Sequence, residues 1–419
     1  MSSLPLRGVR VLELARILAG PWAGQLLADL GADVLKVERP GEGDDTRHWG
    51  PPFVTGADGG NLGAAYFHSC NRGKRGVAID LATPEGQAHV RALASEADVV
   101  IENFKVGGLA RYGLDAATLR AANPRLIYCS ITGFGQTGPY AHRAGYDFIV
   151  QGMGGLMSIT GDADGAPQKS GIAIVDLFTG VYAATAILAA LHARNATGEG
   201  ATIDMALLDT AVGVLGNQAL NWMVGGRVPE RMGNGHANLA PYQSFPTSDG
   251  DLIIAVGNDR QFARLCAVLG APGLASDARF ATNPARVDHR AALLPLVTAL
   301  TVRHDTASLA AALEAQGVPA GPVNRIDQVF ADPQVVARGM RLALEHAAEE
   351  AIPGLAAPIV LDGERVGTPR PSPRLGEHDG EGWLFSPSPL WGSSGRSGPR
   401  ADLNSAGRCL PDDGRGEGE

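Results

Sequence analysis

The sequence predicts an α/β protein in which a large open sheet of parallel strands carries helices on both faces and a smaller domain is inserted into it. Three observations lead there. Short apolar runs alternate with helical patterns from Val9 to Ile131, the rhythm of repeated strand–helix–strand units. The chain has 419 residues, enough for two or more domains. Near Gly225 the texture changes to stretches rich in Gly, Asn and Pro.

The elements follow in order. Val9–Leu14 is a short apolar strand. Pro21 then suits the first turn of a helix whose apolar stripe is Leu26, Leu27 and Leu30, and Gly31 closes it. Residues 33–38 (DVLKVE) form the next strand, so the first two strands pair in parallel across a right-handed crossover. Strand 76–81, helix 84–96, strand 98–102, short helices to Ala122 and strand 126–131 continue the pattern. In such sheets ligands bind at the carboxyl ends of strands, which picks out 15–20, 38–39, 102–104 and 132–138.

Further on, an apolar approach ends at Asp176, where an Ala-rich helix begins and runs to Arg194; a strand follows at 201–208. Asp176 reads either as an N-cap or as a nucleophilic carboxylate at a buried helix start with no cation beside it in sequence. Residues 225–320 read as the smaller domain, with a strand at 251–258 and helices at 259–269, 284–303 and 305–316. Residues 1–224 and 321–378 then belong to the large domain. The stretch 379–419 is an atypical tail. From Ser386 to Glu419, 17 of 34 residues are Ser, Gly or Pro without apolar periodicity, which predicts disorder.

Composition narrows the function. Apolar residues make up 45% and charged residues 19%, as in a soluble globular enzyme. A net charge of −9 disfavours nucleic acid as a partner. Four scattered cysteines without C-x-x-C or metal-finger spacing predict reduced thiols, no metal site and a cytoplasmic location. The N-terminus lacks a signal-peptide layout, and the run 181–191 stops short of a membrane span at His192 and Arg194. His236, in a Gly/Asn-rich loop, reads as a surface imidazole.

A nicotinamide cofactor is disfavoured, because the first turn reads ARILAG and lacks the G-x-G-x-x-G of a pyrophosphate loop. Basic residues cluster instead in loops: Arg39, Arg47, Arg72, Lys74, Arg75, Arg111 and Arg143. They form either a solvated face or, at strand ends, a site for a phosphorylated ligand. Phe104, beside Asn103, is either core or a platform for an adenine or a pantetheine arm.

Five segments taken together resemble the class III coenzyme A transferase family (CaiB/BaiF type), which includes formyl-CoA transferase, carnitine CoA-transferase and α-methylacyl-CoA racemase. They are VLELARILAGPWAGQLLADLGADVLKVERPGEGD, NRGKRGVAIDL, DVVIENFKVGGLARYGL, ITGFGQTGPYAHRAGYDFIVQG and GIAIVDLFTGVYAATAILAAL, within a likeness running from Leu6 to His378. The resemblance implies a large Rossmann-like domain built from both chain ends, a small α+β domain between them, and an interlocked homodimer. It puts Asp176 on the nucleophilic aspartate, and Arg39, Lys74, Arg75, Asn103, Phe104 and Arg111 on or beside positions that hold coenzyme A. It makes residues 233–237 a mobile glycine-rich flap.

Two departures bear on activity. Leu18 stands where formyl-CoA transferase has a glutamine, which speaks against the oxalate/formate pair. Tyr146 stands where racemases carry a histidine, and a phenol with a pKa of ~10 is a poor base. Asp259 lies near a racemase glutamate. The resemblance therefore implies an acyl-CoA:carboxylate CoA-transferase, with succinyl-CoA and a small dicarboxylic or hydroxy acid as the first expectation. CoA and acyl-CoA would be substrates, and no cofactor would be held permanently. A racemase or epimerase, and a noncatalytic CoA-binding protein, are the competing readings. With a pKa of ~3.9, Asp176 would be ionised at pH 7.

Overall fold

The structure is a computed structural model that describes residues 4–57, 59–345 and 351–384. Six strands form the main sheet: β1 (Arg10–Glu13), β2 (Asp33–Glu38), β3 (Arg75–Ala78), β4 (Val99–Glu102), β5 (Ile127–Thr132) and β6 (Thr202–Ala206). All are parallel, in the order β3-β2-β1-β4-β5-β6. The continuous burial of β1, β2 and β4 is what strands covered on both faces require. The chain starts at β1, builds outward to β3, then returns to the far side of β1 through β4. The crevice between the carboxyl ends of β1 and β4 is thus the topological switch point, the place where ligands bind in open α/β sheets.

Helices α1 (Ala19–Asp29) and α2 (Pro84–Glu96) are the β1–β2 and β3–β4 crossovers. Thr83 caps α2 by accepting the Gly86 N–H at 3.0 Å. Between β4 and β6 lie α3 (Ala116–Ala122), α4 (Asp147–Met153) and α5 (Ile174–Thr197). One sheet face packs against α1 and α5 through Ala23, Leu27, Ala183 and Ile187; the other packs against α2 and α3 through Val90, Leu93 and Leu119. Gly180 of α5 lets the two helices touch, because a Cβ there would lie 2.7 Å from the Ala19 carbonyl oxygen. At 24 residues α5 is long and apolar enough to cross a membrane, contrary to the sequence reading, yet Val175, Ala183, Ala184, Ile187 and Leu191 are packed inside the protein core.

A three-stranded antiparallel sheet, β7 (Tyr242–Pro246), β8 (Asp251–Ala255) and β9 (Ala320–Pro322), has a core of its own with α6 (Asp259–Val268), α7 (Arg290–Thr301) and α8 (Thr306–Ala315). The single helix expected over 284–303 is two, Asn283–Asp288 and Arg290–Thr301, broken at His289. Buried Arg286 ties this unit together by donating to the carbonyls of Ala240 and Phe280 and to Asp259. After β9 the chain returns to the main sheet, where Ala357 and Val366 join the α1/α5 core and Trp383 packs on the other face.

The described residues make one compact unit. The first residues of the expected tail are built into it: the Asp379 carboxylate accepts the Ala78 N–H at 2.7 Å, and Arg75 donates to the Gly382 carbonyl at 2.8 Å. The rest of that tail, 385–419, with Cys409, lies outside the described residues. The other three cysteines are buried and unpaired.

Candidate active site

A cavity of about 650 Å³ opens at the switch point. Residues 16–19 after β1, 103–106 after β4, 131–133 at the end of β5, the loop 141–146 and Asp176 of α5 line it. Its size suits a small-molecule ligand.

Asp176 is not the N-cap. It sits in the first turn of α5, whose N-cap is Ala173, and the cap acceptor comes from another element. The Asp147 carboxylate accepts the N–H of Val175 at 2.8 Å and of Asp176 at 3.2 Å, and Gln151 holds Asp147 in turn at 2.6 Å. Asp176 is thereby free for chemistry, with no cation paired to it among the described residues. Burial, and then the neighbouring Asp147 charge, raise its pKa to about 7, so it is not the fully ionised carboxylate expected from the sequence. A desolvated carboxylate near half-ionisation at neutral pH is poised to attack a carbonyl carbon. Tyr66 lies within its electrostatic reach. Burial and the charge on Asp176 push that phenol up to about 12, which keeps it protonated.

The other sequence-predicted residues divide. Phe104 and Arg111 line the cavity with Asp176. The buried Glu102 carboxylate fixes the Phe104 backbone by accepting its N–H at 2.7 Å. The Arg111 guanidinium lies over the Tyr112 ring at 4.5 Å and presents its charge to solvent. Asn103 also lines the cavity, but its side chain is engaged: it accepts the Arg16 N–H at 2.9 Å and donates to the Arg16 carbonyl at 2.6 Å. Arg39 is outside the lining, exposed and paired with Glu42.

Lys74 and Arg75 do not reach the cavity. Lys74 is fully buried, its ammonium saturated by Glu13, the Pro21 carbonyl and Asn71 at 2.8–2.9 Å. Arg75 is buried in a two-bond pair with Asp33 at 2.8 and 2.9 Å. Both side chains are engaged by buried carboxylates, Glu13 for Lys74 and Asp33 for Arg75. Residues 233–237 are likewise outside the lining. Gly233 donates to the Gly161 carbonyl, and Arg290 donates to the carbonyls of His236 and Ala237. Asp259 is paired with Arg286, away from Asp176's cavity.

Sequence reasoning missed Asp44, Tyr66 and the strain at Ile17. Ile17 has φ +73°, a conformation that costs a β-branched residue about 1–3 kcal/mol. No local pattern signals these three, because each acts through residues distant in sequence.

The model of CoA-transferase family III matches residues 6–379. The chain belongs to that family. Among the relatives of this CoA-transferase is the succinate–glutarate CoA-transferase of Agrobacterium fabrum, 58% identical over 90% of this chain and 94% of that one. The succinyl-CoA:glutarate CoA-transferase of Mus musculus is 43% identical over 90% of this chain and 85% of its own. A crystal structure of a CaiB/BaiF family protein from Brucella suis superposes with a TM-score of 0.80 at 56% identity, covering 90% of this chain and 98% of that one. The enzyme is therefore a class III CoA-transferase with the family's α/β fold, and Asp176 lies in the wall of its switch-point cavity.

Proposed function

We propose that this enzyme moves CoA from succinyl-CoA to a small dicarboxylic acid, glutarate first among them, with Asp176 as the acyl carrier. The observation that carries the mechanism is the desolvated, unpaired Asp176 carboxylate in the wall of a cavity that Phe104 and Arg111 also line. The substrate choice rests on the relatives, whose names pair succinyl-CoA or succinate with glutarate, mesaconate or citramalate.

The Asp176 anion attacks the thioester carbonyl, the C–S bond breaks, and CoA thiolate leaves a mixed succinyl–aspartyl anhydride. The thiolate then attacks the aspartyl carbonyl, releasing succinate and leaving an aspartyl–CoA thioester. The acceptor carboxylate attacks that thioester and expels thiolate, and the thiolate takes the acceptor's acyl group and restores Asp176. One thioester is exchanged for another, so the steps need no external energy source. Phe104 and Arg111 are assigned to the pantetheine and phosphate portions of CoA.

Two copies working together and a cytoplasmic location complete the proposal. Supporting the first, Phe178, Val181 and Tyr182 of α5 and Leu220, Met223 and Val224 of the helix Asn217–Gly225 are exposed on the single chain. The unpaired cysteines support the second.

The test is a panel of acids presented with succinyl-CoA, following the new acyl-CoA by chromatography. Glutaryl-CoA or another dicarboxylyl-CoA is expected. Exchange of α-deuterium in a 2-methylacyl-CoA without an acceptor acid would make the protein a racemase. CoA binding without any exchange would make it a noncatalytic binder.

A further inference from the structure

Beneath the cavity lies a group of four ionisable side chains with no solvent exposure: Glu13, Lys36, Asp44 and Lys74. Lys36 sits in the middle of β2 and donates to Glu13 at 3.1 Å, to Asp44 at 2.9 Å and to the Ala15 carbonyl at 2.9 Å. Lys74 holds Glu13 from the other side. Even α1 is shaped around the group, because a Cβ on Gly24 would lie 1.8 Å from a Glu13 oxygen. Four buried charges are a heavy desolvation load, and replacing such groups by apolar ones is often stabilising. Stability alone is a weak account of them.

What they touch is more informative. Five successive backbone groups of the loop after β1 are held in place. Lys36 holds the Ala15 carbonyl, and Asn103 holds the N–H and carbonyl of Arg16. The Asp44 carboxylate accepts the Ile17 N–H at 3.2–3.3 Å, and the Cys70 thiol meets the Ile17 carbonyl at 3.6 Å. The last residue of this clamp is Ile17, the one described non-glycine residue with positive φ besides Asp362. A β-branched residue keeps that conformation only where its surroundings impose it.

The consequence falls on the reacting centre. Ile17, Leu18 and Ala19 line the same cavity as Asp176. Gly180, four residues after Asp176 and so on its face of α5, is the point where α5 touches Ala19 and Trp22. The clamped backbone and the carboxylate are therefore fixed on adjoining walls.

We infer that Asp44, anchored by Lys36, is a positioning residue that holds Ile17 left-handed and so sets the backbone wall facing the acyl group carried by Asp176. This rests on Asp176 being the acyl carrier. A wall fixed in advance needs no reorganisation as charge develops on the reacting carbonyl, which is the condition for strong electrostatic assistance.

The experiment measures kcat, the KM for succinyl-CoA and the melting temperature. It uses Asp44→Ala and the double variant Lys36→Met/Asp44→Ala, which removes one charge of each sign together. Each is made with Ile17 retained and with Ile17→Gly, and Ile17→Gly alone is the reference. Loss of Asp44 is expected to lower kcat roughly 10–100-fold, with KM moving less than about threefold. Glycine reaches φ +73° without strain, so Ile17→Gly is expected to restore at least part of the lost kcat without restoring melting temperature. A structural prop would show the reverse pattern, a lower melting temperature with unchanged kcat per folded enzyme. That result, or a kcat loss that Ile17→Gly does not relieve, overturns the inference.

Should both Asp44 variants fail to fold, Asn103→Ala loosens the same loop from its solvent side. The inference then requires kcat to fall while KM holds, and an effect on KM alone refutes it. Wild-type enzyme that exchanges CoA through Asp176 while these variants stay fully active would sink only this inference. Wild-type enzyme without exchange would sink the proposed function instead.

Discussion

At the residue scale, the proposed chemistry turns on the protonation of one carboxylate. Burial and the charge on Asp147 favour neutral Asp176, and only its anion attacks a thioester. The sign follows: activity rises with pH as the proton leaves. kcat/KM for succinyl-CoA should be half-maximal near pH 7 and level above it, read from initial rates between pH 5.5 and 8.5. A profile flat down to pH 5.5 would mean that Asp176 titrates like an exposed carboxylate. Arg75 makes the opposite point, since its charge serves the fold. Arg75→Ala leaves Asp33 buried and unpaired, so about 3 kcal/mol of stability should be lost in denaturant titrations while the KM for succinyl-CoA holds. Such roles are hard to read in a sequence. NRGKR looks like a phosphate-binding loop until Glu13 and Asp33 arrive, 61 and 42 residues distant, to neutralise it. The type of residue announces that a charge needs a partner, and the fold decides whether the partner is protein or ligand.

At the element scale, α5 is capped in trans. Asp147, the residue after Tyr146, supplies the acceptor that Ala173 lacks, and its charge also raises the pKa of Asp176. The two effects can be separated. Asp147→Asn keeps an acceptor but removes the charge, so the pH–rate midpoint should move down, detectably but by less than the whole shift, because burial is the larger cause. Asp147→Ala also removes the cap, and should cost about 1–2 kcal/mol in thermal or denaturant unfolding. An unmoved midpoint in Asp147→Asn would show that burial alone sets the titration. The parallel strands were legible because buried strands read as apolar runs with turn residues between them; β2 is found at the expected residues even with Lys36 inside it. The hairpin Phe53–Thr55/Asn61–Ala64 was not, since three- and four-residue strands with exposed positions carry no periodic signal. Helix α4 was missed for a related reason, being seven residues with most of its length exposed.

At the scale of the whole molecule, both chain ends converge on the main sheet. Arg47 binds the Pro373 carbonyl and Glu38, and Gly73 donates to the Arg370 carbonyl, so residues from the C-terminal side brace the β2–β3 edge. The contacts of the returning segment could not be read from the sequence, because its partners lie 326 and 301 residues away. The exposed apolar residues of α5 and of Asn217–Gly225 lead to an expected dimer mass in light scattering at micromolar concentration; a monomer would refute the two-copy proposal. The central claim, that Asp176 carries first the acyl group and then CoA, is tested most directly by trapping. Enzyme mixed with succinyl-CoA is quenched with hydroxylamine, digested and analysed by mass spectrometry. A hydroxamate on the peptide containing Asp176, absent from Asp176→Asn, is the predicted result. A hydroxamate on another residue, or CoA exchange that persists in Asp176→Asn, would contradict it.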